Sequence, residues 1–173
     1  MTKTTCTKIL LAMMLAILPA TAFAGGDEAP AVEEQMTALV DMCKGSVKDR
    51  TARHAEKPLY ERLGGYDRIL ELTTEIVRLH GINEEIKHTL KGVDRKALAK
   101  HVADFIAAGT GGTAEYTGRD MPSSHAHLEL TDAHFLAAGS DVMKGMKSME
   151  YGQEEIDEII CILVSLKDQV VFR

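Results

Sequence analysis

Imidazole nitrogens are the most adaptable metal ligands this chain has to offer, and seven histidines carry them. Two stand one residue apart in "MPSSHAHLEL", His125 and His127. Met121, His125 and Leu128 recur at i, i+4 and i+7, which is one face of a helix. Two residues advance about 200° round a helix, so His127 points away from that face and is expected in water. A third histidine, His101, shares its stripe with Leu98, Val102 and Phe105, so its ring is expected to project from apolar surface. Spacing alone leaves His101 open between a hydrogen-bonded core residue and a ligand. His54 lies in a polar stretch, His80 and His88 border turns, and His134 falls in the first turn of a helix. Those four read as surface or capping residues. Two inward histidines on different helices, separated by the glycine-rich "AGTGG", suggest a flat cofactor between the helices. Zinc competes with that reading, but a structural zinc usually takes four Cys/His ligands, and no pairing of cysteines with these histidines is visible. Haem needs one or two axial ligands and an apolar slot, which Met, Leu, Val and Ile can supply here.

The elements that must position these side chains are helical. "EEQMTALVDMCKGSVKDR" spaces Met36, Leu39, Val40 and Cys43 by threes and fours, predicting one amphipathic helix, with "TARHAEKP" as a linker closed by Pro58. "YDRILELTTEIVRLHG" puts Ile69, Leu72, Ile76 and Leu79 on one face and stops at Gly81. A short helical stretch starts at Asn83, and a longer one at the capping Asp94. "TGGTAEYTG" reads as a loop and "MPSSHAHLEL" as a short helical turn. Thr131 caps a helix carrying Phe135, Val142, Met146 and Met149, and the last helix runs through Ile156, Ile159, Ile160, Leu163, Leu166 and Val170. No strand alternation and no repeat occurs, so the fold class is all-α.

The N-terminus reads differently. Lys3 and Lys8 precede the apolar run Ile9 to Leu18, and "ATAFA" offers small residues before Gly25. That order predicts a secretory signal peptide over residues 1–24 and a periplasmic or otherwise exported protein. The run is shorter than the roughly 20 residues a membrane span needs, so no membrane insertion is expected after cleavage. Formal charge is −6, and losing Lys3 and Lys8 makes it −8. That acidic balance, with no long basic run, argues against nucleic acid as a partner. Cys43 and Cys161 survive cleavage, and export permits a disulfide, but their separation leaves the pairing open. No Cys-x-x-Cys-His occurs, so c-type haem attachment is excluded.

"PLYERLGGYDRI" from Pro58, then "AGTGGTAEYTGRDM" and "HAHLEL", resembles the truncated haemoglobins, group 1 type, over about residues 58 to 171. The resemblance implies residues 25–57 as an N-terminal extension and 58–173 as a two-over-two globin domain enclosing non-covalent haem b. It places the proximal iron ligand at His125, in agreement with the facial argument. It puts His101 on the distal helix, where some relatives carry a sixth iron ligand, with Leu98, Val102, Phe105, Met121 and Leu128 around the cofactor. Gly109, Gly111 and Gly112 match the family's glycine break.

The sequence departs from the family on the distal side. The usual Phe-Tyr pair becomes Ile76 and Val77, the aromatic pair before the distal helix becomes Thr89 and Leu90, and the common glutamine becomes Val102. His101 is then the obvious polar group left on that side. No histidine occurs in residues 151–173 to bond a haem vinyl. The implied function is binding of O2, NO or CO at iron, with an unidentified electron donor. NO dioxygenase-like or peroxidase-like turnover would be at most a side activity. The alternatives are a bis-histidine electron-transfer or redox/gas-sensing haem protein and, further off, a haem-free helical interaction domain.

Overall fold

The computed structural model describes residues 31–113 and 115–172. The expected signal peptide lies outside them. Among the described residues all regular structure is helical.

The described part of the extension is helical almost throughout. α1 (Val32–Gly45) and α2 (Val47–Glu56) meet at Ser46. Residues 51–56 of the expected linker therefore belong to α2, and the single expected helix is two. The helix stops where backbone chemistry stops it. Lys57 is extended, at φ −147° and ψ 114°, as the residue before a proline prefers. Side chains explain why α2 persists so far: Arg53 Nε donates to Glu158 at 2.8 Å, and His54 Nδ1 accepts from Leu59 N–H at 3.5 Å.

α3 (Leu59–Arg62) is one turn, and α4 (Gly65–His80) follows at once. Gly64 and Gly65 have φ of +88° and +78°, a sharp reversal that side chains with Cβ resist. α4 buries Ile69, Leu72, Thr73, Ile76 and Val77. α5 (Arg95–Gly109) begins at Asp94, whose carboxylate accepts from Lys96 N–H and Ala97 N–H, as the cap predicts. α6 (Met121–His125) runs into a 3₁₀ turn over Ala126–Leu128. α7 (Asp132–Ser148) starts in a capping box in which Thr131 and His134 bond each other's backbone, so His134 is the capping residue its position suggested. α8 (Gln153–Leu166) closes the chain with a 3₁₀ turn over Lys167–Gln169.

α4 packs on α5 and α7, α7 packs on α8, and α1 lies across α7 and α8. The core they enclose holds Leu59, Leu63, Ile69, Leu72, Ile76, Val142, Met146, Ile156, Ile159 and Ile160. A disulfide joins Cys43 of α1 to Cys161 of α8, settling the pairing that spacing left open. Beside it the buried Glu158 accepts from Arg53 Nε and Arg62 Nη2, while Arg62 Nη1 reaches Glu155 at 2.7 Å. A carboxylate at 5 % exposure is tolerable only with such partners. The extension is thus bolted to α8 by a covalent bond and an ion network.

Candidate functional site

α5 has two apolar faces, and the difference between them locates the site. Ala99, Ala103 and Ala107, four residues apart, are all but sealed against α4. Their small size lets the backbones come close enough for Thr73 Oγ1 to donate to Ala99 O at 2.9 Å. Leu98, Val102 and Phe105 lie about 100° to 160° round the helix from Ala103. They are only half-buried, and none belongs to the main core or to the side chains packed on it. A helix with one sealed apolar face and a second that is left half-open has surface for another occupant.

His125 lies on α6. α6 and α5 do not pack tightly on each other; α6 rests on its own 3₁₀ turn and on the C-terminal turn at Lys167–Gln169. That turn is anchored by Lys167 Nζ to Asp132 at 2.8 Å, which ties it to the start of α7. Asp120 caps α6 by accepting from Ser123 N–H at 2.7 Å. Within α6, His125 Nδ1 lies 2.9 Å from Met121 O. A carbonyl only accepts, so Nδ1 carries the proton and the Nε2 lone pair is free. This is the orientation and tautomer a metal-ligating imidazole takes, with a backbone carbonyl fixing the ring. The acceptor is therefore the residue one helical turn back. Met121, His125 and Leu128 are half-buried together, while His127 is exposed, as the facial argument expected.

His101 was expected to project from the apolar stripe of Leu98, Val102 and Phe105; that stripe is half-buried and the residue is exposed. The face that α5 buries is the alanine face, and His101 is about 160° from Ala103. It flanks the half-open stripe, about 40° from Phe105, and stands at the rim. Phe105 itself meets Tyr116 edge-on, ring centroids 5.2 Å apart. Of the positions where the family keeps distal aromatic residues, Ile76 and Val77 are buried and Thr89 and Leu90 are half-buried.

Sequence reading missed a polar joint near the other end of α4. His80 was expected at the surface, but it is half-buried, and its Nδ1 donates to Asp141 Oδ2 at 3.2 Å. Asn83 Nδ2 donates to the same oxygen at 2.8 Å. Burial depresses the His80 pKa and outweighs the opposing pull of the Asp141 charge. The one available signal was an aspartate beside Val142 on an otherwise amphipathic helix. Its partners lie some sixty residues away, so spacing could not name them.

Residues 58–172 match the family described as bacterial-like globin. The chain is a bacterial-like globin. A group 1 truncated hemoglobin of Tetrahymena pyriformis is 26% identical over 100 residues, 58% of this chain and 83% of that protein. One from Mycolicibacterium paratuberculosis is 24% identical over 113 residues, 65% of this chain and 82% of its own. Among solved structures, the ferric Tetrahymena pyriformis protein superposes with a TM-score of 0.64 at 22% identity, over 68% of this chain and all of that one. The 2/2 hemoglobin of Synechococcus sp. PCC 7002, solved with covalently attached heme, gives 0.63 at 27% identity, over 67% of this chain and 99% of that one. The architecture is thus the expected two-over-two one: the α4–α5 pair over the α7–α8 pair. In this globin the extension precedes the matched region and is joined to it by the Cys43–Cys161 disulfide.

Proposed function

We propose that this globin holds haem b non-covalently between α5 and α6, with His125 as the iron ligand, and binds a diatomic gas such as O2, NO or CO. The observation that carries the reading is His125 itself: a half-buried imidazole whose Nδ1–H is committed to Met121 O and whose Nε2 is left for a metal. The residues fit the group in size and polarity as well. Leu98, Val102 and Phe105 on one side, and Met121 and Leu128 on the other, are half-buried apolar side chains that a flat hydrophobic ring would cover. Bound there, haem supplies reversible gas ligation and one-electron redox chemistry.

The chain's own residues set the terms. The Met121 carbonyl holds the ring plane of His125 and raises the basicity of Nε2. Val102, Leu98 and Phe105 exclude water from the gas side and offer it no hydrogen bond. His101 at the rim is the polar group that could swing onto that side, either to hydrogen-bond the gas or to occupy the sixth iron position. Electron transfer is the second reading, and the apolar distal face favours it, because a gas carried for long needs a donor there. Export is part of the proposal. The charge–apolar–small order of residues 1–24 supports it, and so does a disulfide, which persists in oxidising compartments.

Titration of the purified protein with hemin tests the reading. A sharp Soret band saturating at one hemin per chain is expected. His125→Gly is expected to lose the proximal ligand field and to regain it with added imidazole. An unchanged spectrum in that variant rejects His125 as the ligand. His101→Ala with an unchanged ferric spectrum would remove His101 from the coordination sphere.

A further inference from the structure

We infer that the turn leading into α5 is a docking patch for an acidic protein, and that this partner is the globin's electron donor. The electron-donor role rests on the haem reading; the acidity of the partner does not.

The patch is built from Ile82, Lys91, Val93, Arg95 and Lys96. All five are exposed, with Ile82 at 60 % and Val93 at 40 %. Arg95 folds back over the end of α4, next to Ile82: a Cβ added to Gly81 would sit 2.5 Å from Arg95 Nη1. Neighbouring charges are mostly spent. Arg78 pairs with Glu75, and Lys87 pairs with Glu84. Glu85 is exposed nearby. Lys91, Arg95 and Lys96 form no ion pair among the described residues. The carboxylate among them, Asp94, is turned onto the backbone N–H groups of Lys96 and Ala97.

Two features of this patch run against local stability. Lys96 occupies the first turn of α5, which has no acidic residue within it, so a cation stands near the positive end of the helix dipole, while Arg95 lies over the C-terminal end of α4. Two aliphatic side chains stand in water beside them. A chain that breaks local rules in one place commonly does so for function. The chain as a whole carries −6, so a small cationic patch gives it a direction: an acidic partner is repelled elsewhere and steered here. A small anion is a poor occupant, because Asp94 already takes the amides at the helix end. A lipid surface is disfavoured, since recognition of anionic lipid commonly takes four to eight cations. The location suits electron delivery, because six residues of helix, about 9 Å, separate Arg95 from His101 at the rim of the slot.

The test uses the full mature protein and a plant-type [2Fe–2S] ferredoxin as the acidic probe. Binding is measured by calorimetry at about 10 mM ionic strength, where the Debye length is about 30 Å. Lys91→Glu/Lys96→Glu is compared with Lys44→Glu/Lys48→Glu on the extension, which changes net charge equally at exposed positions. The expected result is about tenfold weaker binding for the first pair and less than about twofold for the second. Equal weakening, or no binding by the wild-type protein, overturns the proposal. If the Lys91/Lys96 pair instead loses hemin affinity, the patch serves the cofactor and the proposal falls. It falls equally if the pair loses binding to phosphatidylserine vesicles while keeping the ferredoxin. Hemin uptake is scored separately, so failure of the haem reading shows as a missing Soret band with ferredoxin binding intact.

Discussion

The joint between α8 and the extension and the gap between α5 and α6 are opposites. At the joint Cys43 is bonded to Cys161, Glu158 to two arginines, and Arg50 Nη2 to Cys43 O at 2.8 Å. At the gap, side chains equally apolar are half-open, and His125 holds one nitrogen fixed and one free. The first arrangement stores stability and the second stores binding capacity. A globin that must admit a large flat group cannot seal both sides. On α5 the same contrast is compressed into one helix, with an alanine face closed on α4 and a Leu-Val-Phe face left for an occupant.

Three measurements can break or sharpen that contrast. The largest effect is expected at the joint. Opening the Cys43–Cys161 disulfide by Cys43→Ser/Cys161→Ser frees a loop whose ends are 118 residues apart, a loss of about 5 kcal/mol in urea unfolding on chain-entropy grounds. Hemin stoichiometry should stay at one per chain; a fall would show that the joint and the gap are coupled. Next come the two faces of α5. Ala103→Leu overpacks the sealed face and is expected to cost about 2 kcal/mol in the apoprotein. Phe105→Ala on the open face is expected to cost about 1 kcal/mol there, because the ring is only half-buried, and to weaken hemin retention more than Ala103→Leu does. The reverse order would make the Leu-Val-Phe face the true core.

The smallest effect belongs to His80. Burial depresses its pKa below the ordinary 6.5 in the folded state. The unfolded chain therefore takes up a proton first as pH falls, and native stability drops through the window below about pH 6.5. His80→Gln should flatten that part of the slope in urea melts at pH 7.5 and 5.5, by less than about 1 kcal/mol. An unaltered slope would mean the imidazole titrates normally beside Asp141.

Much of this was legible in the residues. The periodicity of apolar side chains is enough to show helices, and the Asp94 and Thr131 caps mark two of the starts. The separation of His125 from His127 follows from 100° per residue alone. His125 was readable because its face is local, set by neighbours three and four positions away. The exposure of His101 was not readable for a complementary reason: periodicity reveals which residues share a face, but not whether that face is packed. The alanine stripe, small and undramatic in sequence, turned out to be the buried one.

The sequence by itself determined the all-α class, the opposite facing of His125 and His127, and the charge balance of the chain. These depend on interactions within a turn or two, where spacing and geometry are the same thing. Only the tertiary structure decided that Cys43 meets Cys161, that Arg53 and Arg62 converge on Glu158, that His80 finds Asp141, and which face of α5 stays open. Each of those joins residues dozens of positions apart. Their meeting depends on how whole helices cross, and the crossing is set by the summed packing of the core rather than by any motif.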